Sequence, residues 1–135
     1  MTSLPDTSLD ASSAFVQGAG LVIDSFSGDE VTAHIDAGPG HHTPWGMVHG
    51  GVYAAAIETA CSIGASAAAD PAGQFAVGLS NHTDFLRAHR DGRLDVRAVP
   101  VHQGRTGQLW HCDITRDDGK LVALGRVRLQ NVARP

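Results

Sequence analysis

Between Val48 and Asp70 the chain runs through apolar and small residues with one charge, Glu58, placed in the middle. A carboxylate there has no packing reason to exist, and an unpaired buried charge is costly. Glu58 is therefore the first candidate for chemistry, as a nucleophile on an acyl carbon or as a base that takes a proton from water. Just ahead of it lies His49-Gly50-Gly51. At the start of a helix these residues would present unpaired N–H groups and positive potential, which suit negative charge developing on a carbonyl oxygen. Glycine lets a ligand come close to that backbone. Ser62 and Ser66 follow Glu58 at intervals of four and share its face, with Thr59 at the margin. The alternative reading of Glu58 is structural, an ion pair with an arginine from a neighbouring strand. For the serines it is a bond to a carbonyl one turn back, and for Ser66 that reading is preferred.

The elements that must hold these groups are one helix and a set of strands. The stretch from Val48 to Asp70 is the one long helix signal, and its many alanines allow a sheet to approach closely around it. Leu21 to Phe26 and Glu30 to Asp36 read as a hairpin about Ser27-Gly28-Asp29, the second run alternating with Val31, Ala33 and Ile35 on one face. Ala37 to Gly46, rich in Gly and Pro, is a shaped loop into the helix. After Gln74 come four strand-like runs, 74 to 86, 93 to 102, 108 to 115 and 121 to 130, divided by Asp91-Gly92, Gln103-Gly104 and Asp118-Gly119. Short connections predict an antiparallel meander, with Pro100 at an edge or a bulge. The fold class is α+β, with the helix against one sheet face.

A length of 135 residues with 42% hydrophobic content fits a single domain, 20 to 135, behind a flexible leader, 1 to 19. Nothing in that leader resembles a signal peptide, and a cytoplasmic protein is expected. Glu58 and His49 argue against the Ala-rich helix as a membrane span. Cys61 and Cys112 have neither metal-ligand nor disulfide-framework spacing and read as reduced core residues. His41, His42 and His49 lack a nearby Cys or carboxylate that would complete a standard metal spacing, so no metal is expected. The net charge of -4 divides unevenly: residues 1 to 86 carry nine acids and no Lys or Arg, and residues 87 to 135 carry ten bases and five acids. The halves could simply neutralise each other, or some arginines could bind a phosphorylated ligand. A net acidic domain without interleaved aromatics and bases is not expected to bind nucleic acid.

The order of elements, together with Gly46-Met47-Val48-His49-Gly50-Gly51 and an acid seven positions after the second Gly, resembles the hotdog-fold acyl-CoA thioesterases over about residues 20 to 131. The likeness is to the phenylacetate-pathway (PaaI-like) and 4-hydroxybenzoyl-CoA types. It implies a sheet of about six antiparallel strands wrapped around one long helix, and hydrolysis of a small or aromatic acyl-CoA. No cofactor is implied, since coenzyme A belongs to the substrate.

The family's carbonyl-polarising N–H falls on Gly50, its helical carboxylate on Glu58 and its hydroxyl one turn on at Ser62, with His49 beside them. The loop Asn or Gln of many members falls on Thr43, a departure. Substrate contacts would come from Gly51, Trp45 and Asn81, and CoA-phosphate contacts from Arg87, Arg105 and Thr106. Phe75 and Phe85 could join Trp45 in an aromatic slot. The resemblance also implies a homodimer with shared active sites, pairing into a homotetramer. Geometry points the same way: at a rise of ~1.5 Å per residue, Glu58 lies about 12 Å along the helix from Gly50, so one chain cannot bring both to one substrate atom. A hotdog hydratase or dehydratase, or a non-catalytic acyl-CoA binding module, are the alternatives.

Overall fold

The computed structural model describes residues 4 to 135. Of the segment expected as a leader, the first three residues lie outside the described ones; the rest contains a 3-10 turn, Leu9–Ala11, and a short helix α1, Ala14–Ala19. Ser13 caps α1 by accepting the Val16 N–H, Gly20 closes it in the left-handed conformation, and it rests near the central helix.

Strands β1 (Val22–Phe26) and β2 (Val31–Ala37) form the expected hairpin. The alternation in β2 does what its period dictates, burying Val31, Ala33 and Ile35 and leaving Thr32, His34 and Asp36 on the other face. The central helix α2 spans Gly50–Ala69, and β3 (Gln74–Phe85), β4 (Gly92–Gln103), β5 (Gly107–Arg116) and β6 (Leu121–Ala133) complete the set. All pairings are antiparallel, in one six-stranded sheet of order β1-β2-β4-β5-β6-β3. This is the expected α+β hotdog architecture, a sheet curved around one long helix.

The order corrects one expectation. The last four strands are not a simple meander, because β3 pairs with β6 rather than with β4. β4 instead takes β2 on one side and β5 on the other, so Asp91-Gly92 ends a crossover and not a hairpin. Two intervening strands at ~4.8 Å spacing are within reach of the six residues from 86 to 91. Pro100 sits where β4 has run past the last β2 partner, Val31 opposite Ala98, and next to a register shift between Pro100 and His102. Its missing N–H therefore costs no ladder bond.

The buried face of α2 consists of Tyr53, Ala56, Ile57, Ala60, Cys61, Gly64, Ala65 and Ala69, the spacing of a single helical stripe. By length and composition alone, residues 50 to 72 could cross a membrane. Here they form the core helix, covered by Val31, Ile35, Leu94, Val96, Trp110, Ile114, Val127 and Leu129, all essentially inaccessible. Each such side chain contributes roughly 1.5 to 3 kcal/mol by burial. Small residues set how near the sheet comes: a Cβ on Gly64 would stand 2.4 Å from the Trp110 ring. The indole N–H donates to Gln108, whose amide donates in turn to the Ala65 carbonyl, tying β5 to α2. Cys61 and Cys112 are free and buried, and the neighbouring Cys112 thiol together with burial pushes the Cys61 thiol up from its ordinary pKa.

Candidate active site

His49 is the N-cap of α2, and its Nδ1 accepts the Gly51 N–H at 2.8 Å. The Val52 N–H bonds to the His49 carbonyl. Of the first turn, this leaves the Gly50 N–H as a donor with no partner among the described residues, at the positive end of a 20-residue helix. The crossover between β3 and β4 holds this helix start in place. His89 O accepts the Val48 N–H, and His42 Nε2 lies 2.6 Å from the Arg90 carbonyl, to which it donates. Gly46 turns at φ 79° with the Arg90 guanidinium 3.0 Å from where a Cβ would stand, so the loop needs glycine there. Of the three histidines weighed as metal ligands, His49 and His41 point Nδ1 at the backbone N–H groups of Gly51 and Gly38, and His42 is committed to Arg90.

A 390 Å³ cleft opens at Gly50, lined by Thr43, Trp45, Met47, Tyr53, Phe85 and Arg87 among others. Trp45, 79% exposed, is not a packing anchor, and with Phe85 it forms an aromatic wall. The Phe85 ring lies directly over Gly50, 2.9 Å from a Cβ placed there. Thr43 accepts the Trp45 N–H through its hydroxyl, shaping the loop as well as lining the cleft. Tyr53 stacks obliquely on Phe85 with ring centroids 6.1 Å apart, and its hydroxyl is buried without a hydrogen-bond partner among the described residues. Burial pushes that phenol above its ordinary pKa. Its part in the cleft was not legible in the sequence, where it reads as one more apolar helix residue.

Glu58 is not in this cleft. It lies half-buried on the flank of α2 that faces β3, where Ser62 donates to Oε2 at 3.4 Å and Asn81 donates to Oε1 at 3.2 Å. A Cβ on Gly78 would stand 2.5 Å from Oε2, so any larger residue there would push the carboxylate from its present position. Among the described residues no arginine lies within ion-pair distance of Glu58, which removes the structural reading in which a strand arginine neutralises it within the chain. The Ser66 hydroxyl, expected to bond back along the helix, instead accepts the Ala76 N–H and pins α2 to β3.

The predicted residues therefore fall into three groups within one chain. Gly50, Gly51, His49, Thr43, Trp45 and Arg87 gather at the helix start. Glu58, Ser62 and Asn81 gather two turns further on. Arg105 and Thr106 sit toward the opposite end of α2, in a cleft with Ala68, Ala69 and Gln108. Phe75 is also separated from Trp45 and Phe85, lining a cleft with Ser62, Ile63 and Ser66, so the three aromatics do not form one slot in a chain. Arg87 anchors one guanidinium nitrogen on the Leu121 carbonyl at 3.0 Å and is otherwise exposed.

The strand over Glu58 is an open edge. Among the described strands β3 pairs with β6 alone; it is 12 residues long and exposes Val77, Leu79 and Phe85. By contrast β1, the other edge, is 5 residues long and interrupted by a register shift, as protected edges usually are.

Comparison with known proteins agrees with this architecture. The model of the thioesterase superfamily matches residues 46 to 123, a span running from the helix entry into β6. A Mycobacterium tuberculosis protein bearing an esterase name is 42% identical over 119 residues, covering 86% of this chain and 85% of its own. Its solved structure superposes with a TM-score of 0.87 at 41% identity, covering 91% of this chain and all (100%) of the other. A thioesterase structure from Haemophilus influenzae gives a TM-score of 0.84 at 30% identity, covering 98% and 96%. A 1,4-dihydroxy-2-naphthoyl-CoA hydrolase of Listeria monocytogenes is 33% identical over 85 residues, 63% of this chain and 68% of the relative. With helix entry, core helix and strands β3 to β5 inside the matched span, this chain belongs to the thioesterase superfamily and is a hotdog-fold thioesterase.

Proposed function

We propose that the protein hydrolyses an aromatic or small acyl-CoA to the free acid and CoA at sites shared between two copies of the chain. The observation that carries this reading is the division of the machinery. The unpaired Gly50 N–H opens on an apolar cleft, while the Glu58 carboxylate sits two turns away beneath an unpaired strand edge. An isologous pairing of β3 with its own copy is antiparallel by symmetry and sets two α2 helices antiparallel, side by side. Gly50 of one chain then approaches Glu58 of the other, and the exposed Val77, Leu79 and Phe85 are covered. A further pairing of dimers is part of the same proposal.

In such a site the thioester oxygen accepts from the Gly50 N–H, aided by the helix dipole, and becomes more negative as the carbonyl carbon is attacked. Glu58 supplies the attack, either directly or by taking a proton from water, and Ser62 holds the carboxylate oxygen that Asn81 does not. The thiolate of CoA leaves with its electron pair; in the direct route the acyl–Glu58 anhydride left behind is then cleaved by water, which releases the acid and regenerates the carboxylate. His49 acts through Gly51, because capping that N–H leaves Gly50's as the open donor. No cofactor or metal has a part in these steps.

Release of thiol from a panel of acyl-CoAs tests the reading. Trp45, Phe85 and Tyr53 around Gly50, together with the hydroxylated naphthoyl substrate in the name of the Listeria relative, favour aromatic acyl groups. Benzoyl- or phenylacetyl-CoA should turn over faster than palmitoyl-CoA, and the reverse order would overturn the aromatic assignment. No turnover across the panel with CoA binding retained would favour a binding module.

For CoA itself, Arg87 at the cleft is the first candidate for a phosphate contact, and Arg105 with Thr106 the second. Arg87→Ala is expected to raise KM about tenfold with kcat nearly unchanged, since a charge-assisted hydrogen bond contributes ~1.5 to 3 kcal/mol. If both Arg87→Ala and Arg105→Ala keep the wild-type KM and its salt dependence, the phosphates bind elsewhere, with Arg126 and Arg128 next in line.

A further inference from the structure

We propose that Asn81 and Thr83 act as a positioning relay that fixes the Glu58 carboxylate, an inference that rests on Glu58 being the attacking or proton-accepting group. The Asn81 amide nitrogen donates to Glu58 Oε1 at 3.2 Å and to the Ala54 carbonyl at 3.1 Å, one turn earlier on α2. Its amide oxygen accepts from the Thr83 hydroxyl at 2.7 Å. This set allows one orientation of the amide. Turned over, Asn81 would point its oxygen at a carbonyl and a carboxylate, both acceptors without a proton to give. Both amide protons are thus spent inside the chain, and Asn81 serves the carboxylate rather than the substrate.

The backbone is arranged to permit this. β3 faces α2 through Ala76 and Gly78, then shifts register between Gly78 and Ser80, after which Asn81 pairs with Val127 and Thr83 with Gly125. Cross-strand partners share a face, and Val127 is fully buried toward the helix. The extra residue therefore changes the inward set from even to odd positions, turning Asn81 and Thr83 in and His82 and Asp84 out. Glycine clears both ends of the relay. A Cβ at Gly78 would stand 2.5 Å from Glu58 Oε2, and one at Gly125 would stand 2.8 Å from Thr83 Oγ1.

The relay has few competitors for the carboxylate. On α2 the titratable neighbour of Glu58 is Cys61. On β3, His82 and Asp84 pair with each other on the outer face, and on β6 Arg126 and Arg128 are exposed on that outer face too.

Three variants of the full-length protein, assayed by thiol release from the best substrate of the acyl-CoA panel, test the relay. Asn81→Asp keeps the shape but sets a second carboxylate beside Glu58, and like charges at that distance favour protonation of one of them. The acid limb of kcat against pH should move up by about one unit or more. Thr83→Val should lower kcat about tenfold with KM within about twofold, and Thr83→Ser should restore it, because the hydroxyl alone holds the amide. An unmoved pH profile in Asn81→Asp, or equal kcat in Thr83→Val and the wild type, overturns the relay. Should Asn81→Asp fail to fold, the Thr83 pair decides the matter alone. Normal turnover in Glu58→Ala would instead sink the role of Glu58 itself, so the two failures are distinguishable.

Discussion

Replacing Glu58 with alanine is expected to lower kcat by roughly 10³-fold or more while leaving KM near its wild-type value. That loss corresponds to about 4 kcal/mol of transition-state stabilisation, within the range lost when a group acting only in the transition state is removed. The carboxylate contributes little to packing: it is half-buried, carries no ion pair among the described residues, and is held by two hydrogen bonds of 3.2 and 3.4 Å. Its removal should therefore cost activity far more than stability, which a thermal melt run beside the kinetics would separate. Glu58→Gln keeps the volume and removes the negative charge that faces an electron-rich thioester, so ligand should bind at least as tightly while turnover stays low. Near-normal kcat in either variant would return Glu58 to a structural role.

The second large effect is recovery of activity from two inactive proteins. Glu58→Ala removes the attacking group, and Gly50→Pro removes the donor at the helix start, a position where proline's fixed φ is compatible with a helix. The proline ring would press on Phe85, whose ring lies 2.9 Å from a Cβ at position 50. Circular dichroism of each variant before mixing guards against a folding defect. If sites are composite, a mixed dimer holds one site with both partners intact and one with neither. Random reassortment should then restore roughly a quarter of wild-type activity from two preparations that have almost none. Full activity in a demonstrably monomeric form, or no recovery in verified mixed dimers, would remove the shared-site model. The open β3 edge makes the monomeric outcome unexpected, because a 12-residue edge exposing Val77 and Leu79 is the kind of surface that folded proteins pair or cover.

Much of this architecture is written in local patterns. The helix boundaries follow from a run of small and apolar residues ended by Asp70-Pro71. The β1–β2 hairpin follows from the alternation of its second run and the Ser-Gly-Asp turn before it, and the irregularity at Pro100 follows from the missing N–H. Glu58 stood out because a charge in such a helix has no local explanation, and the 12 Å to Gly50 follows from helix rise alone. These features depend on residues a few positions apart, which is the range over which periodicity and turn chemistry act.

What the tertiary structure decided depends on pairings between distant segments. β3 and β4 are adjacent in sequence and joined by six residues, so a hairpin was the natural expectation. The choice of β6 for β3 is made by β2 and β5 occupying both edges of β4. The register shift at Gly78 leaves no signature in an alternation reading, yet it alone turns Asn81 and Thr83 toward Glu58. The separation of Phe75 from Phe85, and of Arg105 from Arg87, follows from strands of 10 to 13 residues running the length of the helix, with residues at opposite ends of a strand facing different clefts. A sequence names the residues each strand can present, but which of them meet is settled by sheet order and register, where the energy is non-local.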